Sequence, residues 1–194
     1  MTFNVLMVGV GGQGIILASD ILAEVALLEN LDVKKSEIHG MAQRGGSVES
    51  HIKFGENVYS PIISDYMADI IVSFEHMEFL RYMKKVTEKT ILILNTVNIY
   101  PVTVSSGAAI YPVALINEHK TIFQKCLEID ALKIASELGN TKIISSIILG
   151  VLSTQLSLSA ENWQFALRKM VPTRTADINL KAFERGRNIY SKHL

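Results

Sequence analysis

The sequence has only one cysteine, Cys126, and no excess of charge of either sign. A single cysteine cannot form a disulfide within the chain, and it cannot hold an iron–sulfur cluster, which usually takes four thiolates. Lysine plus arginine and aspartate plus glutamate number 19 each, so the formal net charge is zero. Nucleic-acid binding normally needs a basic excess on one face. These absences predict a cytoplasmic protein that carries no cluster and no metal, and that binds no nucleic acid.

The sequence also lacks a hydrophobic run long enough to cross a membrane. The longest apolar stretch, 143–158, is interrupted by Ser145, Gly150 and Gln155, and it is shorter than the ~20 residues that span a bilayer. Residues 1–4 lead directly into an apolar segment and leave no room for a signal peptide. We therefore expect a buried helix at 143–158 and no membrane association.

What the sequence does contain is a large apolar fraction, since 48% of its 194 residues are hydrophobic. That length and composition fit one domain with a substantial core. We predict a single domain over 1–194, in which 1–115 forms a sheet with helices and 116–194 forms a helical region.

Residues 9–14 read Gly-Val-Gly-Gly-Gln-Gly, with a short apolar run before them and a long amphipathic run after them. A strand, a glycine turn and a helix are the context in which G-x-G-x-x-G spacing binds a dinucleotide or another anion. We expect Gly9 to permit the turn, Gly11 to let a ligand approach the backbone, and Gly14 to let the helix pack closely. The free N–H groups at the helix start suit a phosphate or carboxylate. The same glycines also serve close packing without any ligand, and this alternative stays open.

The second predicted strand, 32–37, is short and polar. In a dinucleotide-binding fold, an acidic residue near the end of this strand holds a ribose hydroxyl. Asp32 comes too early, so Glu37 is the remaining candidate, while Lys34 and Lys35 favour an anionic group. The nucleotide signature is incomplete, which argues against an ordinary NAD(P)-dependent dehydrogenase.

Residues 38–47 form a segment with an unusual mixture of His39, Arg44 and three glycines. Because this segment leaves the carboxyl end of the second strand, we expect it to lie beside the glycine turn. Arg44 next to small residues can anchor a carboxylate or phosphate through two parallel hydrogen bonds. The alternative is that Arg44 pairs with Glu37 or Glu49 and the glycines only shape a turn.

Residues 48–63 alternate between apolar and polar side chains around a turn at 55–57. This pattern predicts a β-hairpin with one solvated face, inserted as an antiparallel edge or flap. His51 belongs to the polar face, so we expect it to be solvated and not catalytic.

Further strands are predicted at 68–74, 90–94 and 108–111, and helices occupy most of the chain after residue 130. The expected fold is α/β and Rossmann-like, with a mostly parallel sheet, helices on both faces, the β-hairpin insertion and a C-terminal helical layer. In such a sheet the strand ends meet at one edge, beside the glycine turn, and bring together Glu37, His39, Glu75, His76, Asn95, Thr96 and Tyr111.

Two stretches together resemble one known family. G-V-G-G-Q-G at 9–14 and E-I-H-G-M-A-Q-R-G-G-S-V at 37–48 resemble the signature of the gamma subunit, or gamma domain, of 2-oxoacid:ferredoxin oxidoreductases. The second stretch most resembles the small beta subunits of the indolepyruvate-specific members. The resemblance continues through Phe74-Glu75 and Asn95-Thr96 to the apolar helix near Leu149-Gly150, so it covers most of the chain.

This resemblance implies a complex that decarboxylates an aryl 2-oxoacid such as indolepyruvate, passes the electrons to ferredoxin and forms the acyl-CoA. It places thiamine diphosphate and the iron–sulfur clusters on a large alpha subunit and leaves this chain without a redox centre. The implied partners are the large subunit, ferredoxin through the complex, the 2-oxoacid and coenzyme A. The isolated chain is expected to be inactive and could self-associate.

The resulting candidate sites lie around the two motifs. The candidate catalytic residues are His39 and Arg44, although a structural role for His39 or His76 is as plausible as proton transfer. A stand-alone NAD(P)-dependent oxidoreductase and a non-catalytic Rossmann-like binding module remain the alternatives. The candidate cofactor-binding residues are Gly9, Gly11, Gly12, Gln13, Gly14, Gln43, Arg44, Gly45, Gly46 and Asn95.

Overall fold

The structure is a computed structural model that describes residues 2–40 and 46–190. A six-stranded sheet in the order β2-β3-β1-β4-β5-β6 forms its centre. All strands except β3 run in the same direction. The strands are β1 (Thr2–Val10), β2 (Asp32–His39), β3 (Ser47–Gly55), β4 (Ile70–Ser73), β5 (Ile91–Asn95) and β6 (Lys125–Ile129).

The central strands are apolar on both faces because each face of the sheet is covered. In β1, Val5 and Met7 enter the core on one side, and Leu6 and Val8 enter the core on the other. Continuous apolar runs of this kind are typical of strands buried between two layers.

Seven α-helices are described, in addition to short 3₁₀ turns and a longer 3₁₀ helix at Glu78–Lys85. Helix α1 begins after Gly14, whose own backbone adopts the left-handed conformation. Helix α6 is capped by Ser159, as its position in the sequence suggests. The helices are α1 (Ile15–Leu28), α2 (Val102–Ser105), α3 (Val113–Lys120), α4 (Ala131–Glu137), α5 (Ile144–Ser153), α6 (Ala160–Met170) and α7 (Ala176–Tyr190).

The helices lie on both faces of the sheet, as predicted. One face carries α1 and the C-terminal helical layer α4–α7, whose apolar side chains form the larger core. The other face carries the 3₁₀ helix, α3 and the segment around Ile63, which form a smaller core. The α/β class, the mostly parallel sheet and the C-terminal layer are therefore confirmed.

The predicted hairpin at 48–63 was wrong in its position. The antiparallel hairpin is instead formed by β2 and β3, in which Asp32 lies opposite Gly55. Strand β3 also pairs with β1 along its whole length, so it is an internal strand and β2 forms the edge. The alternation of apolar and polar residues alone cannot reveal this strand pairing, because β2, which pairs with β3, is separated from it by the segment 40–46.

The segment expected to form the second hairpin strand, 58–63, has no strand pairing. Two N–H groups, one at each end of this segment, are bound by side chains instead. The N–H of Val58 donates to Asp32 Oδ2 at 2.8 Å, and that of Ile63 donates to His51 Nδ1 at 3.1 Å. Side-chain acceptors at these two positions thus replace the backbone hydrogen bonds of the strand pair that the alternating pattern suggested.

The last strand of the sheet also differs from the prediction. Residues 108–111 form no strand, whereas β6 pairs in parallel with β5 and lies within the region expected to be helical. Lys125 and Glu128 are exposed on this edge strand and hide its pattern in the sequence. The polar and aromatic residues at 95–111 nevertheless reach the same edge of the sheet through a loop.

Helices α5 and α7 touch through their backbones. A Cβ atom on Gly150 would lie 2.1 Å from the carbonyl oxygen of Phe183, and one on Gly186 would lie 2.1 Å from that of Ile147. Each helix therefore needs glycine at the crossing. The predicted apolar helix at 143–158 is this buried helix, and within the described part of the chain no helix is both long enough and apolar enough to span a bilayer.

Candidate functional site

A cavity of about 750 Å³ opens at the carboxyl ends of β1 and β2. Its floor is apolar, and its polar groups come from the glycine turn, from α1 and from the two ends of the segment 40–46. The lining residues are Val10, Gly11, Gly12, Gly14, Ile15, Ile16, Leu17, Asp20, His39, Gly40, Gly46, Ser47 and Val48. The cavity thus lies where the two sequence motifs meet.

The structural roles of the glycines in the turn differ from the predicted roles. A Cβ atom on Gly9 would lie 2.6 Å from Gln13 Oε1 and 2.9 Å from Phe74 Cβ, so Gly9 serves close packing. Gly12 and Gly14 adopt positive φ angles of 98° and 79°, so these two residues permit the turn. Gly11 has space beside it, since the nearest atom to an added Cβ would be 3.7 Å away.

The amides of Gln13 and Asn95 hold the strand ends together. Gln13 accepts the N–H of Val10 at 2.7 Å and donates to the carbonyl oxygen of Phe74 at 2.8 Å. Asn95 donates to the same carbonyl at 2.8 Å and accepts the N–H of Ala131 at 3.2 Å. Neither side chain is among the residues that line the cavity, and the observed hydrogen bonds of both amides go to backbone groups.

The first turn of α1 faces the cavity without a cap. Gly14 offers no side-chain hydrogen bond, and the first turn contains no acidic residue. The first N–H groups of a helix have no partner within it, and the helix dipole makes this end positive. An anionic group of a ligand could therefore be held here.

The ends of the segment 40–46 are fixed beside the glycine turn. Gly40 N–H donates to the carbonyl oxygen of Ser47 at 2.8 Å, and Gly11 N–H donates to that of Gly46 at 2.9 Å. These bonds bring the two sequence motifs together as expected. Of the candidates in this segment, Gln43, Arg44 and Gly45 lie outside the described residues.

Charged side chains connect α1 and β2 beside the cavity, and of these Asp20 and His39 line it. Lys35 contacts Asp20 and also donates to Glu37 Oε1 at 2.5 Å. Burial lowers the pKa of Lys35, but the hydrogen bonds to the two carboxylates outweigh it and raise the pKa above its usual value. His39 Nε2 lies 3.6 Å from Glu37 Oε2 and reaches the cavity. Glu37, the candidate for binding a ribose, is thus already engaged by Lys35.

Sequence reasoning missed the role of Glu75, which is fully buried at the end of β4. Its Oε2 accepts the N–H groups of Met77 and Glu78 at 2.7 and 3.2 Å. Its Oε1 accepts the N–H of Ile99 at 3.0 Å and the hydroxyl of Tyr111 at 2.6 Å. Burial and this hydrogen bond raise the pKa of the Tyr111 hydroxyl far above its usual value. The carboxyl group therefore fastens the loop 97–111 to the sheet.

Sequence reasoning also missed a second group of side chains, which contacts Ser47 in the lining of the cavity. Ser47 Oγ donates to Glu78 Oε2 at 2.9 Å and lies 3.3 Å from the hydroxyl of Tyr82. Glu78 is buried and also binds Arg81 Nε at 3.1 Å. Burial is the main cause that raises the pKa of Tyr82 to about 12. This group connects the cavity wall to the 3₁₀ helix.

His51 is buried, contrary to the prediction of a solvated side chain. Only 2% of it is exposed, because the segment 56–67 covers this face of β3. Burial lowers the pKa of His51, although Glu49, 3.6 Å away, acts in the opposite direction. His76 Nδ1 lies 3.0 Å from Asn98 Oδ1, within hydrogen-bond distance. Neither His51 nor His76 is among the residues that line the cavity.

Comparison with known proteins extends the likeness over the whole chain. The family described as pyruvate ferredoxin/flavodoxin oxidoreductase matches residues 4–189. The indolepyruvate oxidoreductase subunit IorB of Thermococcus kodakarensis is 39% identical over 191 residues, which cover 95% of this chain and 94% of that protein.

Two further proteins carry a matching region within a longer chain. The ketoisovalerate oxidoreductase subunit VorA of Methanothermobacter marburgensis is 26% identical, over 98% of this chain and 37% of its own length. The 2-oxoglutarate:ferredoxin oxidoreductase of Magnetococcus marinus, solved with 2-oxoglutarate, coenzyme A and succinyl-CoA bound, is 18% identical with a TM-score of 0.75. That likeness covers 100% of this chain and 31% of the other, and it shows a shared fold.

Proposed function

Because the chain belongs to the pyruvate ferredoxin/flavodoxin oxidoreductase family, we propose that it is the small subunit of a cytoplasmic complex that oxidises aryl 2-oxoacids such as indolepyruvate. The complex passes the electrons to ferredoxin and forms the acyl-CoA. The observation that carries this proposal is the 39% identity to an indolepyruvate oxidoreductase subunit along nearly the full length of both chains.

The redox centres belong to the partner in this proposal. An iron–sulfur cluster needs several thiolates, whereas this chain has only Cys126. Burial raises the pKa of that thiol to about 11, so it is a poor source of thiolate. Within residues 2–40 and 46–190 no three His, Cys, Asp or Glu side chains are grouped to hold a metal ion. The residues of this chain do not fit a cluster, and thiamine diphosphate is assigned to the large subunit on the family resemblance.

The contribution of this chain is the cavity at the glycine turn. We assign it to the anionic part of coenzyme A or of the 2-oxoacid, since an uncapped helix start and an apolar floor face the same space. The chain would bind and orient this ligand beside the partner's reacting groups. In an NAD(P)-dependent enzyme, Glu37 would have to accept a hydrogen bond from a ribose hydroxyl. Because Glu37 is already bonded to Lys35, the structure supports this alternative less well.

Co-expression with the large subunit tests the proposed function. The purified complex should reduce an artificial electron acceptor with aryl 2-oxoacids in the presence of coenzyme A, and the small chain alone with added thiamine diphosphate should not. A panel of aryl, branched and dicarboxylic 2-oxoacids identifies the preferred side chain. Sustained turnover by the single chain, or an intact complex without 2-oxoacid activity, would contradict the proposal.

Arg44 is the proposed anion anchor within the segment 40–46. A charge-assisted hydrogen bond contributes roughly 1.5–3 kcal/mol, so Arg44→Ala should weaken apparent coenzyme A or substrate affinity by about ten- to a hundredfold. Arg44→Lys should restore only part of it, because an ammonium group cannot form two parallel hydrogen bonds. If Arg44→Ala lowers only the melting temperature and leaves both Michaelis constants unchanged, Arg44 is a structural ion-pair partner and not an anchor.

A further inference from the structure

Helix α5 begins beside the start of α1. A Cβ atom on Gly14, the residue before α1, would lie 3.3 Å from Ser145 Oγ and 3.4 Å from Ser145 Cβ. The far ends of the two helices also lie together, since the N–H of Ser159, shortly after α5, donates at 2.6 Å to Glu29, which ends α1. The two helices therefore run in the same direction, and their positive ends lie at the same edge of the sheet.

The hydroxyl of Ser145 forms no hydrogen bond with the described part of the chain. A serine within a helix commonly donates to a carbonyl oxygen three or four positions earlier, as Ser19, Ser136 and Ser153 do here. Only 6% of Ser145 is exposed, and a buried hydroxyl without a partner costs free energy. Its Oγ is not one of the described side-chain atoms that are both fully enclosed and unpaired, so a ligand can reach it.

The charges around these helix ends favour an anion. Neither α1 nor α5 has an acidic residue in its first turn. Lys142 belongs to the 3₁₀ turn that leads into α5 and comes three residues before Ser145, so both lie on one side of the helix. Lys142 is exposed and forms no ion pair within residues 2–40 and 46–190. A cation at the positive end of a helix is unfavourable by itself, and it becomes favourable when an anion binds there.

The chemistry of these groups fits an oxyanion. The free N–H groups at the start of α1 and the hydroxyl of Ser145 can donate hydrogen bonds, and Lys142 adds a positive charge. Phosphate and carboxylate oxygens accept such bonds, and bonds to a charged acceptor are stronger than bonds between neutral groups. Because Gly14 lines the cavity, an oxyanion held at Ser145 leaves the rest of its molecule room in the cavity.

We propose that Ser145, with Lys142 beside it, binds an oxyanion group of the ligand together with the free N–H groups at the start of α1. This inference rests on the proposed function, in which the anion is a phosphate of coenzyme A or the carboxylate of the 2-oxoacid. It adds the side chains that hold the anion, and these side chains come from the start of α5 and not from the two sequence motifs.

Two adjacent serines provide a matched pair for the test. Ser145→Ala removes the unpaired hydroxyl, whereas Ser146→Ala removes a hydroxyl that donates to Asn179 Oδ1 at 2.6 Å in the core. In the co-expressed complex, Ser145→Ala should raise one Michaelis constant by about tenfold, with an unchanged kcat and an unchanged melting temperature of the isolated chain. Ser146→Ala should lower that melting temperature by about 2–4 °C and leave both Michaelis constants at the wild-type values.

The Michaelis constant that changes identifies the source of the oxyanion. A rise for coenzyme A assigns the site to a phosphate group, and a rise for the 2-oxoacid assigns it to the carboxylate. Lys142→Gln should raise the same constant, and this effect should become smaller as the salt concentration rises. Binding of inorganic pyrophosphate to the isolated full-length chain, measured by calorimetry, tests the site without the reaction and should be about tenfold weaker in Ser145→Ala.

Unchanged Michaelis constants in Ser145→Ala would overturn the proposal, and so would an equal rise in Ser146→Ala. The activity of the wild-type complex reports separately on the function. An active complex whose Michaelis constants do not depend on Ser145 contradicts only the oxyanion site. An inactive complex, with pyrophosphate binding that depends on Ser145, contradicts only the function. An inactive complex without pyrophosphate binding contradicts both.

Discussion

The contact between α5 and α7 and the loop 97–111 lie on opposite faces of the sheet and are built in opposite ways. At the helix contact, Gly150 and Gly186 allow two backbones to touch, and the surrounding side chains are fully buried. In the loop, the groups bonded on the inner side are polar, and apolar side chains such as Val102 and Ile110 are exposed. The first region is held by apolar and backbone contacts, whereas the second is held by hydrogen bonds to one buried carboxyl group.

This difference separates residues that hold the fold from residues that present a surface. A change at the helix contact should affect stability whether or not the partner is present. A change at an exposed apolar side chain of the loop, such as Val102 or Ile110, should leave the free chain folded. The following predictions test that separation.

The largest effect on stability is expected from Gly150→Ala. Its Cβ would lie 2.1 Å from a backbone carbonyl oxygen of α7, so the helices must move apart. Overpacking against backbone should lower the free energy of unfolding by about 3 kcal/mol or more. Chemical denaturation of the isolated chain measures this value.

Gly107→Ala is the control for this prediction. Gly107 has a φ of 77° and no atom within 4 Å of an added Cβ. Only the left-handed backbone penalises the substitution, so the cost should be about 1–2 kcal/mol. Equal losses in the two variants would contradict the account of a backbone contact between α5 and α7.

Tyr111→Phe should have an intermediate effect. The substitution keeps the ring but removes a hydroxyl that donates to the buried carboxyl of Glu75 at 2.6 Å. A lost hydrogen bond to a buried carboxyl should lower the free energy of unfolding by about 1.5–3 kcal/mol.

Tyr100→Phe provides the matched comparison. Tyr100 is 56% exposed, and its hydroxyl has no partner among residues 2–40 and 46–190. Its loss should change the free energy of unfolding by less than about 0.5 kcal/mol. If both variants behave alike, Glu75 does not fasten the loop through Tyr111.

The smallest effect is expected for the pH dependence of the unfolding free energy, through His51 on the buried face of β3. Burial lowers the pKa of His51 in the folded chain, Lys85 acts in the same direction, and Glu49 opposes them. The folded state therefore favours the neutral ring, and the unfolded chain binds a proton first as the pH falls. The stabilisation is present above the unfolded pKa, near 6.5, and is lost as the pH falls below it.

His51→Gln isolates this contribution. The difference in unfolding free energy between pH 7.5 and pH 5.5 should be smaller in the variant than in the wild type. An unchanged or larger difference would show that other groups cause the acid sensitivity. The cavity should be unaffected, since His51 does not line it.

Local pattern predicted the first half of the site because its parts are close in sequence. The strand, the glycine turn and α1 follow each other directly, and the carboxyl ends of parallel strands must share an edge. The segment 38–47 was expected beside that turn because it leaves the carboxyl end of the second strand, at the same edge of the sheet. The observed bonds from Gly11 and Gly40 agree with this placement.

The other features depend on partners distant in sequence. The place of β3 between β1 and β2 depends on pairing across the sheet, and the burial of His51 depends on the segment that passes over it. The bond from Tyr111 to Glu75 joins residues 36 positions apart. The exposed charges of β6 match a surface loop as well as they match an edge strand. Hydrophobic periodicity carries no information on such contacts.

The proposed function depends on the binding of an anion at the start of α1, beside the glycine turn. Ile16 lines the cavity in the first turn of α1 and is 41% exposed. Ile16→Glu places a negative charge where a ligand anion would lie, and Ile16→Gln is a neutral side chain of the same length. The helix dipole should make the glutamate variant as stable as the glutamine variant or more so, by about 0.3–1 kcal/mol.

The most direct measurement is the Michaelis constant for coenzyme A in the reconstituted complex with each of these two variants, beside their free energies of unfolding. The account predicts a constant about tenfold higher for Ile16→Glu than for Ile16→Gln, because like charges repel in a partly buried site, with no loss of stability. The account would be contradicted if Ile16→Glu and Ile16→Gln had the same Michaelis constant for coenzyme A and also the same Michaelis constant for the 2-oxoacid.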